Sequence, residues 1–199
     1  MKIKEYKEKY QKLWMIPSLL FALFNLGLGI YSTSIYSYSI AIYYFLLFFL
    51  RLLVNLKKNK KSVYGFYFAL FILDIALIVP ILMMVFQQKE VHFGLIIAIT
   101  MATYTTYKVV ITIMQTLKNR KVNETKERMK TIIHIVDSCV SIINLQYALI
   151  VVNGGFVGRE DMSLLSMISS FVIFVLMMAS SIYFFKKEKE QIKIENYQE

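Results

Sequence analysis

Six apolar runs of about 20 residues each dominate this chain of 199 residues, and short polar or charged segments separate them. An α-helix rises about 1.5 Å per residue, so a run of this length crosses the hydrocarbon core of a bilayer. The runs cover Leu13–Tyr31, Ile35–Leu56, Val63–Phe86, Phe93–Leu117, Thr131–Val152 and Ser163–Phe185. They leave no room for a separate soluble domain. The sequence therefore predicts an all-α polytopic membrane protein, with six transmembrane helices in one domain spanning residues 1–199.

The composition supports this class. Hydrophobic residues make up 57% of the chain and charged residues only 18%, whereas an average soluble domain has roughly 25% charged residues. A soluble domain of this size could not cover so much apolar surface. The single cysteine, Cys139, excludes a disulfide within the chain. The sequence has no Walker loop, no HExxH and no nucleophile elbow, so we expect neither an enzyme nor a cofactor.

Lys and Arg residues are distributed unequally between the two sides of the six spans. The segments 1–13, Lys57–Lys61, Lys118–Lys130 and the tail from Lys186 contain 19 of the 23, while the opposite connectors contain only Lys89 and Arg159. Because basic connectors remain in the cytoplasm, both termini are predicted to be cytoplasmic.

The same basic segments predict the partners of the chain. They could contact anionic lipid headgroups at the cytoplasmic face of the bilayer. Nucleic acid is not an expected partner, since no basic face exists apart from these segments. The bias towards Lys over Arg is typical of AT-rich bacterial genomes, which indicates a bacterial inner (plasma) membrane.

Five ionisable residues lie inside the spans, where an uncompensated charge is costly: Arg51, Asp74, Lys108, His134 and Asp137. Counted from the cytoplasmic ends, Asp74 lies roughly 17 Å deep and Lys108 roughly 15 Å deep. Their matching depth and opposite charge predict a buried ion pair. Arg51 and Asp137 both lie roughly 9 Å deep, which predicts a second pair unless Arg51 extends to the headgroups.

Uncharged polar residues extend the predicted site at mid-membrane. Asn25 and Asn144 lie roughly 18 Å and 20 Å deep, near Asp74 and Lys108. Transporters usually bind substrate at this depth. Alternatively, these groups only form hydrogen bonds between helices. The full predicted site consists of Asp74, Lys108, Asn25, Tyr104, Tyr107, Asn144 and Gln146. Pro80 is predicted to kink the third span just beyond Asp74.

The layout of six spans, with a basic loop between the fourth and fifth, resembles the transmembrane domain of cation diffusion facilitators. Three stretches carry the resemblance: Asn25–Ile30 leading to Ser34, the Tyr64-Gly65-Phe66 start of the third span, and His134–Ser141 on the fifth. The last is similar to the HxxxDxxxS metal-binding stretch of that family. The resemblance implies a related arrangement of helices.

The metal ligands of that family are degenerate here. Tyr43 and Leu47 occupy the positions of its two ligands on the second span, and His134 and Asp137 are three residues apart instead of four. His134 and Asp137 are therefore weak metal candidates, because two groups cannot complete the four ligands of zinc. We expect that the chain does not carry zinc. The stretches FNLGLGI, YYFLLFFLR and YTTYK also resemble a family of small six-span membrane proteins of clostridia-like bacteria.

These patterns leave three hypotheses for function. The first is a transporter-like protein for a small solute or ion, with its site at Asp74 and Lys108. The second is a membrane subunit that binds a solute or a partner membrane protein, similar to the substrate-binding component of an energy-coupling-factor importer. The third is a structural or regulatory membrane protein, alone or as a homo-oligomer, whose polar pairs only orient helices.

Overall fold

The computed structural model describes the backbone of residues 16–56, 60–86, 94–119, 124–153 and 160–198. These residues are all helical apart from short turns and helix ends, and they contain no strand. The helices are α1 (Ile16–Ser32), α2 (Ile35–Leu56), α3 (Lys60–Ala76), α4 (Ile78–Phe86), α5 (Leu95–Asn119), α6 (Thr125–Val152) and α7 (Glu160–Gln198). The predicted all-α class is therefore confirmed.

Five stretches of these helices are long and apolar enough to cross a membrane. They correspond to the second to sixth predicted spans, and the third is shared by α3 and α4, with its window running over Val63–Met84. The first predicted span begins at Leu13, outside the described residues, and its described part, α1, is a shorter apolar helix of 17 residues. The segments 1–13, 57–59 and 87–92, on which the predicted orientation partly depends, also lie outside the described residues.

A tight connection joins α1 to α2. Thr33 has a φ of 50°, in the left-handed region that β-branched residues rarely adopt. Beside this turn the two helices approach closely: a Cβ at Gly29 would lie 3.0 Å from the Tyr38 ring. Glycine is required at this position because the aromatic ring occupies the space that a side chain would need.

The break between α3 and α4 falls at Leu77, three residues before Pro80. Proline has no N–H to donate to the carbonyl of Ala76, and its ring disfavours a continuous helix. The Leu77 amide instead donates to the Asp74 carbonyl over 3.2 Å, which tightens the last turn of α3. The kink that the sequence predicted beyond Asp74 is present.

Contacts between helices give their relative directions. Ser18 bonds to Asp137 and Asn25 to Asn144, both across a separation of 119 residues, so α1 and α6 run parallel. Thr105 bonds to Ser141 and the later Thr112 to the earlier Ser138, so α5 and α6 run antiparallel. The chain therefore reverses direction between its helices as an alternating bundle requires.

α2 and α6 form the centre of the bundle. α2 packs against α1, α3, α4 and α6, and α6 also packs against α5 and α7. The exterior carries large apolar side chains such as Ile96 and Leu165, exposed by 79% and 65%, while charged and amide groups lie inside. This distribution is the one expected for a helical bundle that is embedded in lipid.

Candidate functional site: a buried ionic cluster

Four helices bring charged and hydroxyl side chains to one point inside the bundle. α1 contributes Ser18, α2 contributes Arg51, α5 contributes Lys108 and α6 contributes Asp137. All four side chains are buried, with Ser18 and Asp137 fully inaccessible. We call these four residues the ionic cluster.

One carboxylate oxygen is the common acceptor of the ionic cluster. Arg51 Nη2 donates to Asp137 Oδ2, and Lys108 Nζ donates to the same oxygen over 2.5 Å. The Ser18 hydroxyl accepts from Arg51 Nη1 at 2.7 Å and from Lys108 Nζ at 2.9 Å, and it donates to Asp137 Oδ2 over 3.4 Å. Each cation is thus held by both Asp137 and Ser18. Such charge-assisted hydrogen bonds are the strong ones in a low-dielectric interior.

Aromatic rings cover one side of the ionic cluster. Lys108 Nζ lies 5.1 Å from the centroid of the Tyr104 ring, within the range of a cation–π interaction. Tyr104 stacks on Phe21 with ring centroids 3.7 Å apart, and Tyr44 meets Phe21 edge-on at 5.0 Å. These rings exclude lipid from the charges.

Three polar atoms beside Asp137 have no hydrogen-bond partner among the described residues. They are Asp137 Oδ1 and the hydroxyls of Tyr43 and Tyr44, and all three side chains are buried. Both tyrosines lie within electrostatic range of Asp137. Buried polar groups are normally paired, so an unpaired group in a cluster of this kind marks a place where a ligand can bind.

The predicted pair of Asp74 and Lys108 is wrong. Lys108 bonds to Asp137 and Ser18, while Asp74 Oδ2 accepts from the Ser181 hydroxyl on α7 over 2.6 Å. The two residues have similar predicted depths, but their helices face different neighbours: α3 packs on α7, and α5 packs on α6. Helix rotation, which depth cannot give, separates them. The predicted pair of Arg51 and Asp137 is formed, with Lys108 as a third member.

The structure divides the rest of the predicted mid-membrane site. Asn144 Nδ2 donates to Asn25 Oδ1 over 3.0 Å, so these two amides do meet. Gln146 faces α7, where it bonds to Ser169 and Ser170. Tyr107 is 43% exposed on the outside of the bundle, whereas Tyr104 lies against Lys108.

A second buried ion pair lies at the ends of α6 and α7, and the sequence interpretation missed it. Arg128 Nε donates to Glu188 Oε2 over 2.7 Å, and Thr125 donates to Glu188 Oε1 over 2.5 Å. The sequence analysis treated both residues as parts of charged connectors. The continuation of α7 through residue 198 indicates that the tail from Lys186 is helical and packs back on α6. Ser18 was also missed, although it lies two helical turns from Asn25 on the same face of α1.

His134 lies next to the ionic cluster but outside its hydrogen-bond network. Its carbonyl accepts from Thr112, and its ring is within electrostatic range of Arg51, Lys108 and Asp137. Among the described residues no three His, Cys, Asp or Glu side chains converge as they would around a metal ion.

No family model, curated protein or solved structure matches this chain. The argument for function therefore depends on the ionic cluster alone.

Proposed function

We propose that the protein is a transporter-like bacterial inner-membrane protein that binds a small solute or ion at the ionic cluster. In this proposal the chain crosses the membrane six times with both termini in the cytoplasm, and α1 continues into residues before Ile16 to complete the first span. The observation that carries the proposal is the convergence of α1, α2, α5 and α6 on one set of buried charges.

A binding site fits this convergence because the cluster joins helices that could move relative to each other. Solute sites of membrane transporters lie between helices, inside the bilayer, where a few polar groups are surrounded by apolar packing. Ser18 and Asp137 are held by side chains from two further helices, so a solute that changed one contact would act on all four.

A structural role is the second candidate, and one observation favours it. Ser18 makes three hydrogen bonds within the ionic cluster, and Asp137 Oδ2 is the acceptor of both cations. A cluster bonded to itself in this way could serve only to hold four helices together. The two candidates differ in whether water can reach the site.

Water access can be tested with a thiol placed deeper on the same face of α1. In a Cys139→Ser background, Asn25→Cys places a thiol at a fully buried position. We expect a small, membrane-impermeant methanethiosulfonate reagent to modify it in proteoliposomes. The matched control is Leu23→Cys, at similar depth on the exposed apolar side of α1, which lipid should protect. Protection of Asn25→Cys from both sides of the membrane would favour the structural role.

The same labelling tests the proposed topology. A thiol at position 90 should react from outside the cell, and a thiol at position 123 should be protected there, as the distribution of Lys and Arg predicts. External labelling at position 123 would overturn the orientation.

We do not extend the proposal to zinc, despite the resemblance to cation diffusion facilitators. The nearest carboxylate to His134 in sequence is Asp137, and Asp137 already bonds to two cationic side chains. A metal cation at this position would be repelled by Arg51 and Lys108. Tyr43 and Leu47, at the positions of the family's ligands on the second span, are buried but supply no carboxylate.

A further inference from the structure

The ionic cluster contains more positive than negative charge. Arg51 and Lys108 carry one positive charge each, and Asp137 is the one carboxylate that bonds to either of them among the described residues. The charges that act on Lys108 are those of Asp137 and Arg51, while Asp74 bonds to Ser181 instead. The other titratable groups that face Asp137 are Tyr43, Tyr44, Tyr104 and His134, and none of these adds a negative charge in its ordinary state.

Both cations are also directed to a single oxygen. Arg51 and Lys108 share Asp137 Oδ2, which brings two like charges together in a buried site. Like charges in a low-dielectric interior repel strongly unless each has its own counter-charge. A second anion beside Asp137 would give each cation a separate partner.

Donors for such an anion are already present. The Tyr43 and Tyr44 hydroxyls are buried and unpartnered among the described residues, and both lie within electrostatic range of Asp137. The stacked rings of Phe21 and Tyr104 limit the space on the side of α1 and α5. The site therefore combines one surplus positive charge, free hydroxyl donors and limited space.

We propose that the ionic cluster binds a small monovalent anion, which neutralises the surplus positive charge between Lys108, Arg51 and the hydroxyls of Tyr43 and Tyr44. This inference rests on the proposed solute-binding function and names the class of its ligand. A small carboxylate and a halide share the required chemistry, so the experiment includes one probe of each kind.

Thermal unfolding of the purified full-length protein in detergent gives the readout. The protein is compared in sodium acetate, sodium chloride and sodium gluconate at equal ionic strength, with gluconate as the bulky monovalent anion. Because a ligand that binds only the folded state raises Tm in proportion to its occupancy, acetate or chloride should raise Tm above its value in gluconate. Acetate alone would indicate a carboxylate ligand, and chloride alone a halide. An equal Tm in all three salts would overturn the proposal.

Three variants assign the effect to the cluster. Lys108→Met leaves Arg51 and Asp137 as a balanced pair, so it should weaken the anion by about tenfold or more, as expected when a charged hydrogen-bond partner is lost. Asp137→Asn leaves both cations without a counter-charge, so its Tm should depend more strongly on the anion than that of the wild type. Lys130→Met removes a partly exposed lysine that pairs with Glu127, and its response should equal the wild type.

The outcomes separate the ligand class from the proposed function. Full retention of the anion response in Lys108→Met would show that the anion acts elsewhere on the protein, and it would overturn the inference. If no anion raises Tm but Asn25→Cys is still modified by the impermeant reagent, the site remains a water-accessible binding site and only the ligand class is wrong. If Asn25→Cys is also protected, both the ligand class and the proposed function fail.

Discussion

Asp137 and Asp74 are both fully buried carboxylates in this bundle, but their partners differ in charge. Asp137 accepts hydrogen bonds from two cationic side chains on two other helices, whereas the partner of Asp74 is a neutral hydroxyl on α7. Asp74 also lies beside a helix break, and its Oδ1 has no partner among the described residues.

The difference shows that burial alone does not identify a functional carboxylate. Both residues occupy predicted spans, and both are costly to place there. What distinguishes Asp137 is that removing it would leave two other charges uncompensated. Removing the charge of Asp74 would leave no cation behind among the described residues. The following predictions use this contrast.

The largest expected effect is that of Asp137→Ala. It leaves Arg51 and Lys108 buried without their counter-charge, so we expect the free energy of unfolding to fall by about 3–5 kcal/mol. Unfolding in mixed micelles, followed by the loss of helical circular dichroism, measures the change. The double variant Asp137→Ala/Lys108→Met should recover part of the loss, because one of the orphaned cations is gone as well.

Glu127→Ala provides the control for this prediction. Glu127 also forms an ion pair, with Lys130, but the two side chains are 30% and 17% exposed. Such a pair on one helix contributes roughly 0.3–0.5 kcal/mol. A loss in Asp137→Ala as small as that in Glu127→Ala would mean that the ionic cluster is not a buried charge network.

The sequence predicted the classes of residue in the interior better than their pairing. The five ionisable residues of the spans were recognised, and four of them, Arg51, Asp74, Lys108 and Asp137, are buried at the ion pairs and hydrogen bonds described above. Depth along a helix follows from counting residues, since the rise per residue is constant. Partner choice also depends on rotation about the helix axis and on which helices are neighbours, and neither can be counted from one sequence. For this reason the pair of Arg51 and Asp137 was predicted and the pairing of Lys108 was not.

The role of Ser18 illustrates a second limit. Serines are common in membrane helices, where they serve close packing, so a single serine carries little information in a sequence. Its place in the ionic cluster depends on Arg51 and Lys108 reaching it from two other helices. A similar limit applies to Glu188, which looks like one charge in a solvated tail until α7 is seen to pack along α6.

The second prediction compares the two carboxylates by the same isosteric change. Asp74→Asn keeps an oxygen that can accept from Ser181, and it orphans no cation in the described part of the chain, so we expect a cost of about 1 kcal/mol or less. Asp137→Asn removes the only negative charge bonded to Arg51 and Lys108 among the described residues, and it should cost several times more. Equal losses in the two variants would show that the charge of Asp74 has a partner that the contrast leaves out.

The smallest expected effect concerns Asn25 and Asn144. Their hydrogen bond lies seven residues further along the same two parallel helices that Ser18 and Asp137 join, so it continues the α1–α6 contact towards mid-membrane. A neutral hydrogen bond between membrane helices contributes about 0.6 kcal/mol on average, because the amides find other partners when the helices separate. A double-mutant cycle with Asn25→Ala and Asn144→Ala should therefore give a coupling of about this size. The control cycle pairs Asn25→Ala with Gln146→Ala, which faces α7, and it should give no coupling. A coupling between Asn25 and Asn144 as large as the loss in Asp137→Ala would contradict the contrast, because neutral amides would then hold α1 and α6 together as strongly as the ionic cluster does.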